Sequence, residues 1–187
     1  DIQVLSPTRK GPLGTKALNM LLQEALNPQS KDKAEKVFYD TVFRVGDRVM
    51  QTKNNYDIQW SCGYEEGTGI FNGDIGYIVS LDTNMEQIII DFDGKLAVYS
   101  FSLLNELEHA WAVTVHKAQG SEYKAVIFMM SDSVKNLMTR NILYTAVSRA
   151  RDLLIVIGDD NNIRFCIDNN KVHKRYSGLK YRLCNGG

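Results

Sequence analysis

The chain has 187 residues, 44% of them apolar and 24% charged, enough for one ordinary domain or two small ones around a buried core. Its 22 basic and 22 acidic residues cancel, which excludes binding to nucleic acid through bulk charge and leaves local patches as the only electrostatic route. Cys62, Cys166 and Cys184 form no CxxC pair, which argues against a disulfide scaffold or structural zinc, and no apolar run approaches the roughly 20 residues of a membrane helix.

Asp1-Ile-Gln-Val-Leu5 is a strand pattern and not a signal peptide, and a start inside a strand reads as a piece of a longer protein. Reduced thiols and the absence of a leader make the cytoplasm the expected compartment. A Pro- and Gly-rich loop, Ser6–Gly14, follows. Leu18, Leu21, Leu22, Ala25 and Leu26 then recur at helical spacing, predicting a helix with Thr15 as N-cap and Asn27-Pro28 as its stop. Gln29–Lys36 reads as a polar connector. From Phe43 to about Leu103 short alternating strands are separated by Gly46-Asp47, Asn72-Gly73 and Asp93-Gly94 corners, the pattern of a small β-barrel. Ala125–Met130 and Leu153–Gly158 are continuous apolar runs, expected as fully buried strands flanking a helix over Val134–Val147. Strand, helix, strand with such runs implies a parallel α/β sheet, so the barrel is expected as an insertion in an α/β domain. Ile163–Asp168 is expected as a last helix and Val172–Gly187 as a polar tail.

Four segments carry chemistry. Thr114-Val-His-Lys-Ala-Gln-Gly-Ser-Glu-Tyr123 gathers a hydroxyl, an imidazole, a lysine, an amide, a glycine and a carboxylate at a strand end, where open α/β sheets bind ligands. A solvated loop with incidental polar residues accounts for the same composition. In Leu143-Tyr-Thr-Ala-Val-Ser-Arg-Ala-Arg151, Arg149 and Arg151 follow a short apolar helix. Arginine suits bidentate contact with phosphoryl oxygens, and equally suits a helix C-terminus. Ser6–Lys16 is glycine-rich between strand and helix, yet it fails GxxxxGK[ST], because Thr15 precedes Lys16 and alanine follows it. No other segment supplies that pattern. Lys53, Asn54, Asn55 and Tyr56, with Trp60 close by, suit contact with a single strand through phosphate bonds and base stacking. A turn held by asparagine side chains, with the aromatics packing the barrel, is the alternative.

Together these segments resemble the later motifs of superfamily 1 helicases, in that family's order, and most closely its RecD-like branch. Val4–Thr15 resembles motif IV, Thr114–Glu122 motif V and Leu143–Arg151 motif VI, with Ser148-Arg149-Ala150 where many members read Thr-Arg-Ala. Val45–Asp57 and Phe71–Gly76 resemble the SH3-like barrel inserted in the second motor domain. The resemblance implies a RecA-like parallel-sheet lobe of the P-loop NTPase type, lacking the P-loop, over 1–42 and 105–187, with the barrel at 43–104. It implies Arg149 and Arg9 at the γ-phosphate of ATP, Glu122 at the ribose, and Gln119 and Gly120 shaping that loop. Thr114, His116 and Lys117, with Asn54, Asn55 and Tyr56 of the barrel, would meet single-stranded DNA.

Unwinding from 5′ to 3′, the P-loop lysine and the Mg²⁺ site would belong to the whole enzyme. This piece would bind ATP weakly and hydrolyse none alone. The implied partners are single-stranded DNA, the missing N-terminal motor domain and recombination or repair subunits, with no membrane. A stand-alone nucleic-acid-binding module without ATPase activity, or the same lobe of a relaxase-type or Pif-type helicase, are the competing readings.

Overall fold

The computed structural model describes residues 2–130 and 137–170, together with Arg182. A four-stranded parallel sheet is built from β1 (Ile2–Ser6), β11 (Ala112–Thr114), β12 (Tyr123–Met129) and β13 (Ala150–Ile157), in the order β11-β1-β12-β13. Helices α1 (Thr15–Leu26), α2 (Arg140–Val147) and α3 (Asp160–Asp168) accompany it. A hairpin, β2 (Glu35–Phe38) and β3 (Thr41–Arg44), leads into a seven-stranded antiparallel sheet. That sheet contains β4 (Arg48–Gln51), β5 (Asn55–Cys62), β6 (Glu65–Ile70), β7 (Ile75–Asp82), β8 (Gln87–Phe92), β9 (Lys95–Ser100) and β10 (Leu107–His109), ordered β10-β4-β7-β8-β9-β5-β6. Its strands therefore run from Arg48 to His109, starting later and ending later than the 43–104 span read from the sequence.

Two separate apolar cores follow from this layout. Leu5, Val113, Val126, Phe128, Met138, Ile142 and Ala146 close the parallel sheet against its helices. Phe43, Val49, Ile78, Ile88, Ile90, Tyr99 and Leu104 fill the antiparallel unit. Alternation explains the strand members of both sets, since successive strand side chains point to opposite faces, and Ile142 and Ala146 share one face of α2 at four-residue spacing. β12 lies between β1 and β13, and continuous apolar character suits that inner position.

Three expectations change. β13 is an edge strand among the described residues, and only Ala150, Leu154 and Val156 of it, all on one face, pack on the core. Leu153, Ile155 and Ile157 are 52%, 43% and 48% exposed, so the strand is half-buried and not fully buried. Thr15 is the first helical residue and Gly14 the N-cap, without a side-chain capping bond. α1 also turns an unexpected face inward: Thr15, Leu18, Asn19 and Gln23 are buried, while Leu21 and Leu26 are 66% and 61% exposed. α2 begins at Arg140 behind a capping Thr139, and residues 134–136 and the tail over 172–181 and 183–187 lie outside the described residues.

The reason for the polar face of α1 is Asp47. Asn19, Gln23 and Asn27 repeat every four residues and so share one side of the helix. Asp47 is fully buried; its Oδ2 accepts from Gln23 Nε2 at 2.7 Å and from the Arg44 backbone N–H at 2.7 Å, and its Oδ1 accepts from Asn27 Nδ2 at 2.7 Å. His109 Nε2 lies 3.1 Å from the same Oδ2. Asn19 bonds both the N–H and the carbonyl of Ala112 and the carbonyl of His109. Gly46 makes room beside this group: its φ of 93° suits glycine, and an added Cβ would come within 3.2 Å of Asn27 Oδ1. Buried polar groups thus find partners across the junction between the helix and the antiparallel unit.

Candidate functional site

Sheet polarity divides the candidate residues between two edges. β1 and β11 are parallel, so Ser6 and Thr114 end at the same carboxyl edge, where the loops 7–14 and 115–122 begin. β12 is parallel to β1, so the second loop must cross to the opposite, amino edge before β12 starts at Tyr123. The seven residues of β12 separate the edges by about 20 Å at ~3.3 Å per residue. One continuous segment, Thr114 to Glu122, touches both.

At the carboxyl edge, Arg9 Nη2 lies 2.6 Å from Glu108 Oε1 and Lys117 Nζ 3.0 Å from Glu108 Oε2. The Lys117 backbone N–H donates to Thr114 Oγ1 at 3.3 Å. These residues line one small cavity with Thr15, Asn19 and His109. The loop is pinned by Val115 N–H to Ser6 O at 3.0 Å and by Ala118 N–H to Thr114 O at 3.1 Å. His116, Gln119 and Gly120 face solvent. Gly120 has φ of 89° and open space where a Cβ would sit, so its conformation, and not crowding, calls for glycine.

At the amino edge, the Tyr123 N–H donates to Arg149 O at 2.9 Å, and Arg149 Nη1 donates to Ser121 O at 2.9 Å. Arg149 Nη2 also reaches Ser148 Oγ at 3.3 Å. Arg149 Nε is buried and has no hydrogen-bond partner among the described residues, as does the Tyr123 hydroxyl. Glu122 is exposed on a cleft of about 600 Å³ shared with Arg48, Tyr77, Asp91 and Asp93 of the antiparallel unit. The structure therefore brings Arg149 to the Ser121–Glu122 end of the loop, and places Arg9 with Thr114 and Lys117 at the other edge. Arg9 does not share an edge with Arg149, although the sequence reading put both at one phosphate. The cause is the crossover, which a list of motifs in chain order does not express. Among the described residues no group of three or more His, Cys, Asp or Glu is arranged to hold a metal ion.

In the antiparallel unit both asparagines are bonded within the chain, Asn54 at the exposed surface and Asn55 partly buried. Asn54 Oδ1 accepts from the Asn72 N–H at 3.0 Å, and Asn55 Nδ2 donates to Glu106 Oε2 at 2.9 Å. Tyr56 stays 66% exposed and meets Phe71 edge-on at 5.6 Å between ring centres. Trp60 packs under Lys95, whose ammonium lies 4.6 Å from the ring centre. Glu106 gathers this corner: besides Asn55 it accepts from Gln51 Nε2 at 2.9 Å and pairs with Lys53 Nζ at 3.2 Å. Burial alone would raise the Glu106 pKa, but the hydrogen bonds from Asn55, Gln51 and Lys53, with the Lys53 charge, hold it below the usual range. A carboxyl depressed in the folded state stabilises the fold above its unfolded value, about 4.3, and loses that contribution as pH falls through the folded value. Urea midpoints measured from pH 6 down to pH 3 are therefore expected to fall more steeply for the native chain than for Glu106→Gln. Equal slopes would mean that Glu106 is not held this way.

Asp47, Glu106, Glu108 and Ser121 were not singled out from the sequence. Glu108 meets partners 99 and 9 residues away, and Asp47 meets partners 24, 20 and 62 residues away, so no local pattern flags them.

The family model described as the ATP-dependent RecD-like DNA helicase SH3 domain matches residues 18–92, and that of the UvrD-like helicase C-terminal domain matches residues 109–157. The ATP-dependent RecD2 DNA helicase of Deinococcus radiodurans is 36% identical over 157 residues, which cover 84% of this chain and 20% of that protein. The RecBCD enzyme subunit RecD of Mycobacterium tuberculosis is 30% identical over 185 residues, covering 99% of this chain and 29% of that one. The chain thus spans between 20% and 29% of the length of these two relatives. Among solved structures, Bacteroides Pif1 bound to ssDNA superposes with a TM-score of 0.55 at 15% identity, over 100% of this chain and 46% of that one. Bacteroides Pif1 in complex with ADP-AlF3 and ssDNA gives a TM-score of 0.56 at 16% identity, over 100% and 45%. At such identities the likeness is one of fold.

Proposed function

The chain belongs to the RecD-like superfamily 1 DNA helicases, and from that premise we propose that it forms the second motor lobe of an ATP-driven enzyme unwinding DNA from 5′ to 3′. Residues 1–42 and 105–187 make up this lobe and 43–104 its inserted SH3-like barrel, whose sheet is extended by β10 (Leu107–His109). The observation that supports the reading best is the division of the candidate residues between two sheet edges joined by one loop. Arg149 and Glu122 serve the nucleotide at the amino edge, Arg149 reaching phosphoryl oxygens and Glu122 accepting from ribose hydroxyls. Gln119 and Gly120 shape the approach to it. Thr114, His116 and Lys117 serve single-stranded DNA at the carboxyl edge, with Tyr56 of the barrel as a stacking surface. A shift of the 114–122 loop on closure over nucleotide then moves the strand contacts, the coupling a translocating motor requires.

ATP fits this chain's own residues through Arg149, whose guanidinium has no carboxylate ion pair among the described residues. The P-loop lysine and the Mg²⁺ ligands come from the other motor lobe, which would supply phosphate binding and charge neutralisation. The cytoplasm is the proposed compartment; no helix among the described residues is long and apolar enough to cross a membrane. Relatives named as RecBCD subunits make recombination or repair subunits the proposed partners beyond the first lobe.

The test compares the intact protein with this chain alone, on a forked DNA with a 5′ single-stranded tail. The intact protein is expected to separate the strands with ATP, and the chain alone to turn over no ATP above background. Turnover by the chain alone at the intact protein's rate, or strand binding by the intact protein with no ATP-dependent separation, would sink the reading.

A further inference from the structure

Glu108 holds both cations of the carboxyl edge at once. One of its oxygens faces Arg9 Nη2 at 2.6 Å and the other faces Lys117 Nζ at 3.0 Å. Among the described residues neither cation has another ion pair. The Thr114 hydroxyl, which accepts from the Lys117 N–H, donates to nothing among those residues. A planar anion bridged by a guanidinium and an ammonium, beside a spare hydroxyl donor, is the arrangement that binds the two non-ester oxygens of a phosphodiester. The bridging anion is supplied by the other half of the molecule. Glu108 sits on β10, paired with Met50 of β4 in the antiparallel sheet, whereas Arg9 and Lys117 sit on loops of the parallel sheet. The three side chains are 63%, 38% and 29% exposed for Arg9, Glu108 and Lys117, so water reaches the contact and the carboxylate is held weakly enough to exchange. The cavity they border has room for about one water, so a phosphate enters only where the carboxylate leaves.

We infer that Arg9, Lys117 and Thr114 form a subsite for one phosphodiester of single-stranded DNA, which Glu108 occupies until the strand displaces it. This rests on the reading that the carboxyl edge carries the strand. Glu108 is then a competitor built into the chain. Its charge equals that of the group it mimics, so a lone anion gains little by replacing it. A strand that also contacts neighbouring residues gains enough to do so. Displacement also frees β10 from its tie to the two loops, so strand entry alters the junction between barrel and lobe.

The experiment measures anisotropy of a dye-labelled twelve-nucleotide oligo(dT) with the native chain, Glu108→Gln, Glu108→Ala, Arg9→Ala and Lys117→Ala. Both Glu108 variants are expected to bind about tenfold tighter at low salt, because two weak ion pairs no longer compete. Their affinity should also fall more steeply with salt, by up to about 0.7 in the log–log slope, since the phosphate now releases counterions instead of replacing a carboxylate. ATP affinity should not change. If Glu108 merely braces Arg9 and Lys117, both of its variants bind oligo(dT) more weakly or equally, and the inference is overturned. If they tighten on ATP instead, the subsite takes a nucleotide's phosphate and the inference is again wrong. Unchanged binding by Arg9→Ala and Lys117→Ala would remove the strand from this edge altogether and take the inference with it. Weakening in those two without tightening in the Glu108 variants likewise overturns the inference, since the strand then meets no competitor.

Discussion

Asp47→Ala is expected to lower the unfolding free energy by about 3–5 kcal/mol, the range found when one partner of a buried charged network is removed. The expectation follows from what the carboxylate does. Four groups from three places in the chain converge on it: the Gln23 and Asn27 amides of α1, the Arg44 N–H of the hairpin and the His109 ring of β10. Alanine leaves these groups facing a void with no water-accessible alternative, since Gln23 is 8% and Asn27 4% exposed. For a chain of this size the melting temperature should fall by roughly 10 °C. Asp47→Asn keeps the volume but points one N–H at groups that donate, so it should lose an intermediate amount. Calorimetry or urea unfolding decides this. The network joins α1 to the antiparallel unit, so Asp47→Ala should also broaden or split the transition as the halves lose cooperativity. A variant that melts within 2 °C of the native chain, in one sharp step, would show that the junction is held elsewhere.

The same residues show where the sequence stops being legible. Leu21 and Leu26 have the spacing of a core-facing stripe, yet they are exposed, because Asn19, Gln23 and Asn27 share an equally good spacing and face Asp47. Local periodicity cannot rank the two faces when the deciding acceptor lies 20 or more residues further on. The continuous apolar run of β13 looks like an inner strand, but burial depends on sheet order, and among the described residues this strand lies at an edge. The antiparallel unit was readable because its corners need particular residues, as Gly46 at φ 93°, Gly73 at φ 101° and Gly94 at φ 90° do. For the site, motif order singled out the candidate residues. It did not reveal which edge each serves. A motif compresses Thr114 and Glu122 into nine residues, while the parallel crossover sets them at opposite ends of the sheet. Arg9 stands at the edge opposite Arg149 for that reason, and Glu108, which meets it there, lies outside every motif.

In the intact protein, Arg149→Ala is expected to reduce DNA-stimulated ATP turnover by about 10³-fold or more, the magnitude associated with an arginine that stabilises charge on a transferring phosphoryl group. The structure prepares this side chain without using it up. It leaves the end of α2 just before β13, with Nη1 fixed on Ser121 O and Nη2 near Ser148 Oγ. Its Nε is buried, a donor for which the described residues offer no acceptor. Fixing one arm of the fork on the motif V loop orients the plane of the guanidinium before phosphate arrives, which is how preorganised charge lowers a barrier. Arg149→Lys should recover little, because an ammonium cannot hold the Ser121 carbonyl and a phosphoryl oxygen in one rigid plane. Strand binding should survive both changes, since Arg149 lies at the amino edge. Arg9→Ala should show the reverse: weaker strand binding, with ATP turnover restored by saturating DNA. The pair of variants thus tests the two-edge division directly, by titrating ATPase rate against oligo(dT). Arg149→Ala turning over ATP within tenfold of the native enzyme would remove this arginine from the chemistry. Arg9→Ala losing turnover at saturating DNA would return Arg9 to the phosphate where the sequence alone had placed it.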